Sequence, residues 1–210
     1  MNIIATELSK RFNREWIFHK LSYRFEFGKT YALVGPNGSG KSTLLQILTG
    51  QLPPSGGRVS YETGAGHFDS HEVYKSLAIA APYMDLIDEF TLYEMVKFHF
   101  CFKQTCNGIT IDEIIEKMEL THARQKQVSN FSSGMRQRLK LGLAFFSKAE
   151  LLFLDEPTAN LDKKSIEWYW KNLTMLLGKS LIIIASNQDM EYPSTAEKVD
   201  ILNYKRGYKP

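Results

Sequence analysis

The apolar run Thr30 to Val34 (TYALV) leads straight into Gly35-Pro36-Asn37-Gly38-Ser39-Gly40-Lys41-Ser42-Thr43, and no other stretch of this chain restricts its fold so narrowly. Gly35, Gly38 and Gly40 free the backbone to curl, so that successive N–H groups converge on one anion. Such a loop needs a strand to deliver it and a helix to begin at its end. The helix, expected to start near Lys41, offers orphan N–H groups and the positive end of its dipole to the same anion. Lys41 adds a point charge for the β- and γ-phosphates, and Ser42 a hydroxyl for Mg²⁺. The ligand this pattern describes is a nucleotide polyphosphate, with Gly35 through Thr43 as its binding residues.

Two further segments carry chemistry. Leu151 to Leu154 is a continuous apolar run ending in Asp155-Glu156, which reads as a buried parallel strand whose C-terminal end presents two carboxylates to a ligand crevice. Two acids at a buried strand end are costly unless a cation or water meets them. Asp155 is therefore expected to join Ser42 at Mg²⁺, and Glu156 to act as the general base that polarises an attacking water. The third segment, Phe131-Ser132-Ser133-Gly134-Met135-Arg136-Gln137-Arg138, places a Ser-Ser-Gly turn at a helix start. There hydroxyls and N–H groups can face an anion, or Ser132 or Ser133 can serve as an ordinary N-cap.

With these three segments together, the chain resembles nucleotide-binding subunits of the ATP-binding cassette (ABC) family over nearly all of its 210 residues. The resemblance implies that Ser132, Ser133 and Gly134 complete a site on a dimer partner, and that Ala159-Asn160-Leu161-Asp162 lies along the dimer seam. It implies an α/β fold: a P-loop NTPase core with an N-terminal antiparallel β portion and a small inserted helical subdomain. On this reading residues 1–210 form one ATPase domain, with the core at 1–81 and 131–210 and the subdomain at approximately 83–130. The partners implied are an integral membrane transporter subunit and a second cassette, in a homodimer or heterodimer. Phe12, with Trp16 as second choice, is expected to stack on adenine.

Ser132, Gly134, Gln137 and Arg138 match the family's signature stretch while Ser133 and Met135 depart from it, and two further family positions are missing. The loop after the strand expected at Leu77 to Ala81 lacks the family's Gln, and Pro82 stands there, leaving water or Asp85 for the metal corner. After the strand expected at Leu181 to Ala185, Ser186-Asn187 replaces Thr-His. Asn187 can donate a hydrogen bond to a γ-phosphate but cannot become cationic. Hydrolysis is expected to survive through Glu156, slowed by roughly ten- to a thousandfold. Two other readings stay open: a non-hydrolysing regulatory subunit, and an ABC ATPase acting on a target outside the membrane.

Hydropathy and charge narrow the classes further. No apolar stretch approaches the roughly 18 residues of a membrane span, and MNIIATELSKRF lacks a signal-peptide core. A cytoplasmic location is expected, peripheral to the inner face of the membrane through the partner subunit. The net charge of +3 is weak, and Arg136, Arg138 and Lys140 read as a solvated basic face rather than a nucleic-acid patch. Cys101 and Cys106 have neither the spacing of a metal pair nor a disulfide context, and His67 and His71 follow Gly64-Ala65-Gly66, which argues for a loop. Pattern also predicts strands at Ile3 to Leu8, Leu21 to Phe27 and Arg58 to Glu62, and helices near Leu92 to Lys103, Ile111 to Leu120 and Lys163 to Leu177. Lys198 to Gly207 reads as a final hairpin.

Overall fold

The computed structural model describes residues 1–64, 66–68 and 70–205. Its first layer is an antiparallel sheet. β1 (Asn2–Phe12) and β2 (Glu15–Phe25) form a hairpin whose register closes at Phe12 opposite Glu15. The two-residue turn Asn13-Arg14 carries Asn13 at φ 51°, the left-handed conformation that tight hairpin turns demand and that Asn tolerates. Both strands therefore run further toward the turn than their apolar cores alone indicate.

β3 (Thr30–Val34) delivers the glycine-rich loop and α1 (Lys41–Leu48) follows, as the loop requires. β4 (Gly56–Thr63) pairs with β1, and β5 (Gly66–Phe68) with β4, giving the sheet order β2-β1-β4-β5. A 3₁₀ run, Ser70–Ser76, comes next. His67 thus lies in β5 and His71 in the 3₁₀ run rather than in a plain loop.

The second layer is a parallel sheet. β6 (Leu77–Ala80), β7 (Leu151–Asp155), β8 (Leu181–Ala185) and β9 (Glu197–Asp200) join β3 in the order β6-β7-β8-β3-β9. Between β6 and β7 lie α2 (Leu92–Phe102), α3 (Ile111–Lys117) and α4 (Ser133–Phe145); α5 (Lys163–Leu176) links β7 to β8. α2 and α3 each start on a capping box, Thr91 with Glu94 and Thr110 with Glu113. Each box satisfies two orphan donors, and losing such a Thr typically costs about 1 kcal/mol.

The central strands show why their sequences are apolar without alternation. Leu152 and Leu154 of β7, with Ile182 and Ile184 of β8, pack into the core under α2–α5. Leu151, Phe153, Leu181 and Ile183 pack on the opposite face, against α1 and the antiparallel sheet. A strand with a core on each side buries every residue.

The expected terminal hairpin is a correction. β9 pairs parallel to β3, matching Val199 to Leu33, and ends in a single 3₁₀ turn, Ile201–Tyr204, with Asp200 accepting from Leu202 N–H at 2.9 Å. Val199 and Ile201 are buried, so this segment docks on the free edge of β3 instead of folding on itself. Residues 206–210 lie outside the described region.

Candidate functional site

The phosphate loop is held by what surrounds it. Gly40 sits at φ 108°, and a Cβ there would meet Ile17 Cγ2 at 2.3 Å, so both conformation and space exclude a side chain. As N-cap it supplies no side-chain acceptor, which leaves the first N–H groups of α1 to a ligand. A cavity of about 170 Å³ opens over them, lined by Asn37, Gly38, Lys41, Ser42, Thr43 and Glu156, with Ile17 on its wall. The Lys41 ammonium is buried and donates to the carbonyls of Gly35 at 2.8 Å and Pro36 at 3.2 Å, holding the loop in shape.

Ser39 is 1% exposed and Asp155 is 2% exposed. Ser39 Oγ and Asp155 Oδ1 are the two buried side-chain polar atoms, among the described residues, that have no hydrogen-bond partner. Orphans of this kind cost about 1–3 kcal/mol each, and natural folds keep few of them. Both stand at the phosphate loop. Burial pushes the Asp155 carboxyl above its usual range; the Ser42 hydroxyl opposes this, the Glu156 charge adds to it, Lys41 opposes it and Glu191 adds again. A desolvated carboxylate next to a serine hydroxyl is a donor set that fits Mg²⁺.

Glu156 faces the same cavity from the far side. Its backbone is left-handed, φ 44°, a strained conformation for glutamate that its neighbours enforce: its N–H donates to Ala185 O at 2.9 Å. Gln137 of α4 donates to Pro157 O at 2.9 Å, tying the Ser132 helix to this turn.

Asn187 lies next to the loop. Its Nδ2 donates to Asn37 Oδ1 at 3.0 Å, and it shares a cavity of about 280 Å³ with Gly35, Pro36 and Lys198. At the position expected for the missing Gln, Pro82 offers nothing, and the neighbouring residue fills the corner. The Tyr83 side chain hydrogen-bonds Gln46, and its hydroxyl is pushed up by burial first and by the Asp155 charge second. Asp85 acts instead on Lys140, whose ammonium donates to Ala81 O and Pro82 O at 3.2 and 2.9 Å. The signal for Tyr83 was a hydroxyl-bearing aromatic directly after Pro82.

Phe12 is 47% exposed at the hairpin tip, 5.0 Å from the Lys10 ammonium, and does not line the phosphate cavity. Trp16 packs on His19 and Arg11. The residue of this region that reaches the loop is Ile17, which the sequence reading missed.

Ser132 caps α4, accepting from Met135 N–H at 3.2 Å, while its hydroxyl proton stays available. A cavity of about 360 Å³ gathers His122, Ser132, Ser133, Gly134 and Asn160, and no residue lines both this cavity and the phosphate cavity. A Cβ on Gly134 would stand 3.0 Å from Asn160 O, so glycine lets the helix start approach that segment. The basic residues of α4 are a correction, since they form no common solvated face. Arg136 pairs with Asp88 at 2.7 Å. Arg138 is buried against Trp168, with Glu119 at 2.9 Å and Ser165 at 2.6 Å, and Lys140 is used as above. Steps of two along a helix send side chains to different neighbours.

A family model described as ABC transporter matches residues 18–159, from β2 through the Glu156 turn. The chain belongs to the ABC transporter family. Among its relatives, the uncharacterized ABC transporter ATP-binding protein YybJ of Bacillus subtilis strain 168 is 30% identical over 189 residues, covering 90% of this chain and 86% of the relative. The Nod factor export ATP-binding protein I of Rhizobium sp. strain N33 is 30% identical over 197 residues, covering 91% of this chain and 65% of that protein. A solved Pyrococcus furiosus structure, described as a candidate ABC transporter ATP-binding protein, superposes with TM-score 0.79 at 19% identity, covering 98% of this chain and all of the other. At that identity the likeness speaks to the fold. The α/β architecture and membership among ABC transporter ATP-binding subunits follow. No described helix of this ABC subunit is long and apolar enough to cross a membrane.

Proposed function

We propose that this ABC subunit hydrolyses ATP, closing as a dimer on two Mg-ATP to drive a separate integral membrane subunit. The observation that carries the proposal is the pair of orphaned buried atoms at the phosphate loop, Ser39 Oγ and Asp155 Oδ1. Each finds a partner once a phosphate and its cation arrive. Ser42 and Asp155 would hold Mg²⁺, which when bound offsets phosphate charge. Lys41 moves its donors from the Gly35 and Pro36 carbonyls to the β- and γ-phosphates. Glu156 accepts a proton from the attacking water. Asn187 gives up Asn37 to hydrogen-bond the γ-phosphate, without the gain in charge an imidazolium would bring, so turnover is slow. The separate Ser132 cavity supports assembly, because one chain carries the two halves of a site on different surfaces. It acts at the inner face of the cell membrane through the membrane subunit, with no nucleic acid as partner. Outward transport is the direction supported by the relative whose name speaks of Nod factor export.

Glu156→Gln tests this reading, since it keeps the side chain's shape and removes the base. The variant is expected to lose ATPase activity and to accumulate as a dimer at saturating Mg-ATP in light scattering. A monomer removes self-pairing, and full activity removes Glu156 as base.

A further inference from the structure

Glu191 follows β8 in a 3₁₀ turn, Asp189–Glu191, and is fully buried, at 0% exposed. Its carboxylate forms no ion pair among the described residues. Three neutral donors converge on it instead: Oε1 accepts Thr158 N–H at 2.9 Å and the Thr158 hydroxyl at 2.5 Å, and Oε2 accepts the Ser186 hydroxyl. The Glu191 carbonyl accepts from Tyr169 of α5 at 2.5 Å, which fixes the turn from behind. Burying an acid without a cation is expensive, so its position needs a reason. The two segments it joins supply one. Thr158 comes two residues after Glu156, and Ser186 directly precedes Asn187. Ser186 Oγ also accepts Gln188 N–H at 2.8 Å, so the Asn187 segment is pinned on both sides.

We infer that Glu191 is a positioning residue, holding the Glu156 turn and the Asn187 turn at a fixed separation across the γ-phosphate position. The inference rests on the hydrolytic reading above. Through Thr158 it sets where the base stands, and through Ser186 it sets where the phosphate donor stands. Neither contact reaches Lys41 or Ser42, and the Glu191 charge is the weakest of the influences on Asp155, so its effect on nucleotide affinity is small beside its effect on turnover. Gln can imitate the bracket in one orientation, with its oxygen toward both Thr158 donors and its NH₂ toward Ser186 Oγ. Ala cannot.

The test measures kcat, KM and Mg-ATP affinity for the parent, Glu191→Ala, Glu191→Gln and Glu156→Gln, together with amide hydrogen exchange over 156–160 and 186–189. Glu191→Ala is expected to lower kcat by about ten- to a hundredfold, the range that sub-ångström to ångström misplacement of reacting groups produces. Its nucleotide affinity stays within about threefold, because the phosphate loop is untouched. Glu191→Gln restores most of the rate, and exchange quickens in both segments together for Ala alone. The inference is overturned if Glu191→Ala turns over within twofold of the parent while Glu156→Gln is inactive. It is equally overturned if Ala and Gln lose rate and affinity alike. Should Glu156→Gln remain active, the base assignment falls, and exchange decides Glu191 alone: quickening in one segment but not the other rejects the bracket.

Discussion

Asp155→Asn should make the nucleotide-free protein more stable and its Mg-ATP complex no better than its ATP complex. The carboxylate is buried with one oxygen unpartnered, and its ionised form is opposed by burial and by the charges of Glu156 and Glu191. An amide of the same shape removes the charge and brings its own donor, so the gain lies in the lower half of the usual 1–3 kcal/mol for an unmet buried group, about 1 to 1.5 kcal/mol. For a domain of this size that is a rise in Tm of about 2–6 °C. In the parent, Mg-ATP at about a hundred times its Kd adds about 2.7 kcal/mol, or about 5–11 °C. In Asp155→Asn that shift should collapse to the one given by ATP with a chelator. Thermal unfolding of both proteins, each alone, with ATP and chelator, and with Mg-ATP, reads all of these values. A variant that melts below the parent without nucleotide, yet keeps the full Mg-ATP shift, would show that Asp155 serves the fold and not the cation.

Other consequences follow at Asn187 and His99. Asn187→Ala should lower steady-state ATPase activity by about tenfold, and the parent's rate should be flat between pH 6 and 7, where an imidazole in that place would titrate; equal rates in Ala and parent make Asn187 a bystander. His99 pairs with Ser147 Oγ at 3.0 Å, and burial, with Lys103 adding to it, pushes its pKa down to about 4. The fold therefore favours neutral His99, so its contribution is complete above the unfolded value of about 6.5 and is lost as pH falls from there toward 4, amounting to about 1–3 kcal/mol. Denaturant unfolding across that range should show His99→Asn flattening the decline, and an unchanged slope rejects the assignment.

What could be read from the chain was local. The glycine loop, LLFLDE and the Ser132 turn each declare their chemistry within a dozen residues, and the unbroken apolar run Leu151 to Leu154 declares a buried strand. The contacts that escaped reading join distant segments and leave no periodic trace. Asn187 meets Asn37 across 150 positions, and Glu191 meets Thr158 across 33. Phe12 carries an aromatic expectation that the hairpin leaves at the surface, while the same hairpin sets Ile17 beside Gly40, a contact no sequence pattern announces. The terminal segment misled for a different reason. Glu197–Asp200 is too short to show whether its partner runs parallel or antiparallel, and only the unoccupied edge of β3 decides.

The position of β3 has a consequence for how the protein comes into being. β1, β2 and β4 all lie before residue 64, so their sheet closes shorter loops than the parallel sheet does and can form early. β3 is flanked by β8 and β9, strands synthesised some 150 residues later. Until residues 181–200 arrive, the strand that carries the phosphate loop has no seat, and at ribosomal speeds of about 5–20 residues per second that delay is about 8–30 s. A nascent chain of this kind holds its glycine loop in sequence but not in shape, and its half-covered apolar sheet is what a chaperone would meet first.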